Sequence, residues 1–372
     1  MKIPAAKIYF PEEDKKDILE KINGILGTGW LTLGKYGKEF EEKFAVYVGT
    51  KFATAVNSGT SSIEIPLRIF DVKDKEVLVP TNTFVATPAA VLHAGGKVKF
   101  LDMDPETFSI DPDELNEKIT KKTGGVIIVH IGGLVTPKIG EIKKICEDND
   151  VFLFEDAAHA HGSTLDGKMA GTFGQAASFS FYPTKVMTSG EGGMIVTDDE
   201  EMDKRARVFR DQGKAGFLGN IHTELGYNWR MSEIHAVIGL SQFSRLEGFL
   251  KDRRNAAKVY DKRLNEVDKI NVLKIPENSK SNYYKYIAVL DDGVDRAELK
   301  KKLKEKYDVS LSGEVYELPC HLQPIFKDAH GYKEGDFPIA EDLCKRHICL
   351  PVYATMTKDD ANYVVDSLKE VL

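Results

Sequence analysis

Between residues 52 and 199 the chain alternates short apolar runs with stretches of helical spacing. FATAV precedes a helical segment after Ser58, and KEVLVP precedes TPAAVLHAGG. KVKFLDMD follows, then GGVIIVH, IGEIKKICEDND and VFLFEDAA. Few folds accept this rhythm. A strand separated from the next by a helix cannot close a tight hairpin with it, and runs that are apolar throughout suit burial on both faces. The pattern predicts the α/β class, with a mostly parallel sheet covered by helices.

Two further runs, ASFSFYP and GGMIVTDD, extend that sheet and lead into the charged helix EEMDKRARVFRDQG. An amphipathic helix over Glu12 to Leu26, stopped at Gly27, opens the chain. A long helical pattern from Ser232 to Leu264 follows the sheet. Beyond it the spacing predicts strand YYKYIAVL, helix DRAELKKKLKEKY, strand VSLSGEV and a last helix around Val364, Val365 and Leu368. A chain of 372 residues has room for about two domains. We divide it into a large α/β domain over residues 1–245 and a smaller α+β domain over 246–372.

Charge and cysteine content exclude several classes of function. Lys plus Arg number 51 against 58 Asp plus Glu, a formal net charge of −7, with no basic stripe for nucleic acid. The uncharged segment Thr123 to Pro137 is too short for the ~18 apolar residues of a membrane span. The N-terminus turns acidic where a signal peptide needs an apolar core, so secretion is not expected. Cys146, Cys320, Cys344 and Cys349 form no C-x-x-C pair and no zinc-finger spacing. They read as reduced thiols of a cytoplasmic protein, with no metal site.

In open α/β sheets ligands bind at the carboxyl ends of the strands. Asp156 follows the apolar run VFLFE. It either caps a helix AAHAHG or, as a desolvated carboxylate, meets a cationic or N–H partner. Lys185 ends ASFSFYPTK and precedes the glycine-rich TSGEGG. A lysine there can form a Schiff base where its surroundings free the amine, although alone it reads first as a solvated surface charge. NSGTSS offers a helix start whose free N–H groups suit an anion, with Thr60 and Ser61 as phosphate contacts or as ordinary caps. Together these match pyridoxal 5'-phosphate, which needs a Schiff-base lysine, an acid beside its pyridinium nitrogen and a phosphate cup.

The segments FEDAAHAHG, SFSFYPTKVMTSGEGGMIVTDD, GYNWRMSEIHAVIGLSQ, LPCHLQPIF and GDFPIAEDL, in that order, resemble the DegT/StrS family of pyridoxal phosphate-dependent sugar aminotransferases. The resemblance spans essentially the whole chain. It implies a fold type I architecture, with a large seven-stranded, mainly parallel domain, a smaller C-terminal one, and a homodimer with shared active sites. Lys185 resembles the Schiff-base lysine and Asp156 the partner of the ring nitrogen. Phe84 in TNTFVA sits where the family stacks an aromatic on the cofactor, and His159 where it places a residue near the ring oxygen O3′. Thr60, Ser61 and Ser180 match phosphate contacts. Asn228, in GYNWR, matches an asparagine that reaches the neighbouring subunit's phosphate.

Two departures stand out. Ser61 and Ser62 replace small apolar residues, and VHIGGLV carries His130, Ile131, Gly132 and Gly133 where His-Leu-Tyr-Gly is usual. His321 resembles a position close to the acceptor, whereas Arg230 reads as half of a structural ion pair ahead of a contact to a carboxylate or phosphate of the substrate. The resemblance implies glutamate or glutamine as amino donor and a keto-sugar, nucleotide-linked, as acceptor. A cyclitol, a carbocycle precursor or a small phosphorylated ketone is the alternative acceptor. Lys185 argues against a sugar dehydratase, which carries histidine there, and no G-x-G-x-x-G follows the first strand to support a nicotinamide enzyme.

Overall fold

The computed structural model describes residues 1–216 and 220–372, with the side chains of all but residues 329 and 330. Helices α1 (Glu12–Thr28) and α2 (Lys35–Val48) come first. The alternation then runs β1 (Phe52–Val56), α3 (Gly59–Ile69), β2 (Glu76–Pro80), α4 (Ala86–His93), β3 (Lys97–Leu101), α5 (Pro112–Lys118), β4 (Thr123–Val129), α6 (Ile139–Asp148) and β5 (Phe152–Asp156). A small flap of β6 (Thr164–Leu165) and β7 (Lys168–Met169) precedes β8 (Ala176–Ser180), β9 (Gly193–Thr197), α7 (Glu200–Arg210) and α8 (Glu233–Leu264). The remainder holds β10 (Ile270–Val272), β11 (Ser279–Lys280), β12 (Tyr286–Leu290), α9 (Arg296–Tyr307), α10 (Pro324–His330), α11 (Pro338–Arg346), β13 (His347–Leu350) and α12 (Lys358–Lys369).

Seven strands form one sheet in the order β1-β9-β8-β5-β4-β2-β3. All run parallel except β9, which pairs antiparallel with β1 and β8. The twofold periodicity of a strand explains why the runs are apolar throughout. Val126 and Ile128 of β4 enter the core that holds Phe40, Phe44 and Leu246, from α2 and α8. Ile127 and Val129 enter the opposite core, with Ile63 and Leu67 of α3 and Val91 of α4. Both faces of the sheet are therefore covered, as a parallel sheet requires.

A third core gathers Tyr286, Ala288 and Leu290 of β12 with Ile348 and Leu350 of β13 and Val364, Val365 and Leu368 of α12. The long helix α8 serves two cores, giving Leu246 and Leu250 to the first and Ala256, Ala257, Tyr260 and Leu264 to the third. The N-terminus departs from a simple two-block division, because Ile3 pairs with Val309 and is buried in the C-terminal core.

Two local expectations are corrected. VSLSGEV forms no continuous strand, since Val309 bridges to Ile3 and Ser312 to Cys349, two different partners that no single ladder can serve. AAHAHG is a turn rather than a helix. There the Asn282 amide donates to the carbonyls of His159 and His161 at 2.8 and 3.0 Å, taking acceptors that a helix would need. Among the described residues no helix is long and apolar enough to cross a membrane.

Candidate active site

Parallel strands end on the same side, so the sheet brings the residues after β1, β2, β4, β5 and β8 to one edge. Asp156 closes β5, in register with Val129 of β4 and Ser178 of β8. It is 5% exposed, and its carboxylate takes two neutral donors, the Thr87 hydroxyl at 2.8 Å and the Ala158 amide at 3.2 Å. Burial pushes its pKa above the usual carboxylate range, against the pull of those hydrogen bonds and of Lys185. A buried carboxylate held only by neutral donors has room for a cationic partner.

Lys185 lies one short turn beyond β8, its amide donating to the Tyr182 carbonyl at 2.9 Å. Its side chain is half-buried, and Nζ rests 4.8 Å from the centre of the Tyr284 ring. The sheet thus places Asp156 and Lys185 on neighbouring strand ends, although the chain separates them by a flap and a full strand.

Beside them, Ser58 caps α3 by accepting the Ser61 amide at 3.2 Å. The Ser61 hydroxyl is engaged as well, donating to Asn57 Oδ1 at 2.8 Å. Thr60 is half-buried in the same first turn, and neither its amide nor that of Gly59 has a hydrogen-bond acceptor among the described residues. A Cβ on Gly59 would come within 2.8 Å of Ser180 Cβ, so only glycine lets α3 approach the end of β8 this closely. Free amides, the helix dipole and Ser180 thus meet in an arrangement suited to an anion.

Phe84 ends the TNTF segment after β2 and is 59% exposed. His159 is buried and stacks on Tyr284, with ring centres 4.2 Å apart. Burial, then Lys185 and Lys285, hold the imidazole well below its ordinary pKa and keep it neutral, and its Nδ1 has no partner among the described residues. Asn228 is exposed and pairs through its backbone with Asp211, and the next carbonyl, that of Trp229, accepts the Asn57 amide at 2.8 Å. This sets Asn228 close to the α3 cap of its own chain.

A family model of the DegT/DnrJ/EryC1/StrS aminotransferase family matches residues 12–369. The chain belongs to this family. GDP-perosamine synthase of Escherichia coli O157:H7 is 32% identical to it over 98% of this chain and 97% of that protein. Helicobacter pylori PseC, an aminotransferase involved in the biosynthesis of pseudoaminic acid, superimposes with a TM-score of 0.91 at 26% identity, covering 100% of this chain and 99% of that one. Streptococcus pneumoniae Spr1654, solved in a PLP form and a PMP form, gives 0.92 at 26% identity, covering 100% and 98%.

In this DegT/StrS aminotransferase, sequence reasoning missed Thr87, whose hydroxyl holds Asp156 and whose signal lay in the hydroxyl-rich TNTFVAT segment. It also missed Tyr284, which arrives from the bend just before β12 with no local cue. Burial tends to raise the Tyr284 phenol, but Lys185 and Lys285 outweigh it and hold the phenol below its ordinary pKa. His321 is fully buried between Thr81 Oγ1 at 2.7 Å and Glu341 Oε1 at 3.1 Å, which gives it a fastening role. Arg230 pairs with Asp211, as the structural reading expects.

Proposed function

We propose that this aminotransferase uses pyridoxal 5'-phosphate to move an amino group from L-glutamate, or glutamine, to a nucleotide-linked keto-sugar in amino-sugar biosynthesis. The observation that carries the reading is the pairing of Asp156 and Lys185 at one sheet edge, beside the anion-suited start of α3 and Ser180. The residues fit the cofactor. The buried Asp156, served only by neutral donors, suits a pyridinium N–H, and the free amides at Gly59 and Thr60 suit a phosphate. The sugar acceptor draws its support from relatives such as GDP-perosamine synthase.

When bound, the cofactor supplies a carbonyl for the donor's amine and a ring that takes up electrons. Asp156 holds a proton at the ring nitrogen, because a close carboxylate favours the cationic form. Phe84 would cover one face of the ring, and the neutral His159 would stand near its oxygen. Lys185 Nζ would hold the cofactor at rest and, as a free amine, would carry a proton to and from the donor's Cα. Amino donor and acceptor use one site in turn, so ping-pong kinetics follow.

A second copy of the chain completes this site. Leu225 is 90% exposed, and Ile221 and Tyr227 are also exposed, apolar residues just before Asn228 in the chain that suit a protein partner. We place the homodimer interface there, with Asn228 reaching the partner's phosphate. The deciding experiment is the visible spectrum of the cofactor-loaded protein before and after L-glutamate, followed by a screen of nucleotide keto-sugars, cyclitol ketones and phosphorylated ketones. Bleaching by glutamate with recovery by a nucleotide keto-sugar supports the reading. A protein that stays colourless with the cofactor overturns it.

A further inference from the structure

Tyr284 stands where two residues of the site meet. Its ring stacks on His159 at 4.2 Å and 27°, and the Lys185 amine lies 4.8 Å from its centre. The Tyr284 hydroxyl pairs with Thr184 Oγ1 at 3.3 Å, one residue before the lysine. The backbone is fixed as well, because the Tyr284 amide donates to Asn282 Oδ1 at 2.8 Å and the Lys285 amide to the Gly132 carbonyl at 3.1 Å. This approach depends on the glycine pair of VHIGGLV. A Cβ on Gly133 would fall 1.8 Å from Asn282 Oδ1, and one on Gly132 would fall 2.8 Å from Ile287 Cδ1. The unusual Gly132 and the placement of Tyr284 therefore belong to one packing arrangement.

We propose that Tyr284 is a positioning residue whose ring face holds the Lys185 amine whenever that amine is not bonded to the cofactor. The inference rests on Lys185 being the transaminating lysine. A free lysine on a four-carbon stem samples many rotamers, and proton transfer is fast only from a narrow set of positions. An aromatic face within about 6 Å attracts the amine's cationic form and narrows that set. Tyr284 is held by hydrogen bonds at its amide and its hydroxyl, so it can serve as the fixed surface.

The test is proton NMR of the full-length protein with 13Cε-labelled lysine, read without cofactor and with pyridoxamine phosphate, which leaves the amine free. The Lys185 signal is assigned by its loss in Lys185→Arg. A ring-current upfield shift is expected in the wild type and in Tyr284→Phe, and its collapse to the common lysine position in Tyr284→Leu. The glutamate half-reaction in a single turnover is expected to slow roughly tenfold in Tyr284→Leu, with pyridoxamine phosphate affinity unchanged, and to stay near wild type in Tyr284→Phe. An unshifted wild-type signal overturns the proposal, and so does a wild-type rate in Tyr284→Leu. The wild-type signal decides the placement even where the leucine variant fails to fold. A wild type that reacts with no amino donor defeats the proposed function alone, because the ring-current shift is read without turnover.

Discussion

Thr87 donates its hydroxyl to Asp156 Oδ2 at 2.8 Å and shares a second hydroxyl contact, also 2.8 Å, with Thr83. The Asp156 carboxylate is therefore oriented from α4, the helix that follows β2. Thr87→Val keeps the shape of the side chain and removes that donor. A hydrogen bond to a charged group is worth about 1.5–3 kcal/mol, so cofactor affinity should fall roughly 10- to 100-fold. The Thr87 bond lowers the Asp156 pKa, so its loss raises that value further, and the variant should release cofactor at higher pH than the wild type as the solution is acidified. Fluorescence titration with pyridoxal phosphate at several pH values measures both, and equal affinities would dismiss the role of Thr87.

Lys185→Ala should bind the cofactor without the visible band of a lysine Schiff base and should lose the glutamate half-reaction by at least 10²-fold, the usual contribution of a placed acid–base group. Absorbance and single-turnover kinetics check this. A variant with an unchanged spectrum would move the cofactor bond to another lysine.

Gly133 has φ +93, and a Cβ there would meet Asn282 Oδ1. Gly133→Ala should destabilise the protein by about 2–4 kcal/mol, combining backbone strain with the displacement of a buried, fully bonded amide. Urea unfolding gives the value, and a loss under about 0.5 kcal/mol, the scale of an ordinary surface change, would refute the tight packing described for this turn.

His161 is buried against Phe44, Phe179 and Phe181. Burial, followed by the charge of Lys185, lowers its pKa to about 3. In the unfolded chain it titrates near the ordinary 6.5, so below that pH the unfolded state binds one more proton than the folded one. Its contribution is full above pH 6.5 and is lost as pH falls toward 3, at about 1.4 kcal/mol per pH unit. Urea unfolding between pH 4.5 and 7 should show His161→Leu losing about one proton less of slope than the wild type. Parallel slopes would mean that the imidazole is charged in the folded state.

The order of strands and helices and the burial of both sheet faces were legible in the chain, because side-chain periodicity is a local property that survives without the fold. So were Asp156, Lys185 and the α3 start, since polar residues directly after apolar runs must lie at strand ends. The turn at AAHAHG was not legible, because Asn282, more than a hundred residues away, supplies the hydrogen bonds that replace a helix. Thr87 and Tyr284 escaped for the same reason: hydroxyls and rings are common, and only the fold brings α4 and the bend before β12 to Asp156 and Lys185. Local periodicity and polarity, written into the chain, set which chemical groups the protein owns and which end of the sheet they occupy. Tertiary structure alone decided which neighbours orient them, because directional contacts of about 3–5 Å between distant segments exist only once the cores have closed.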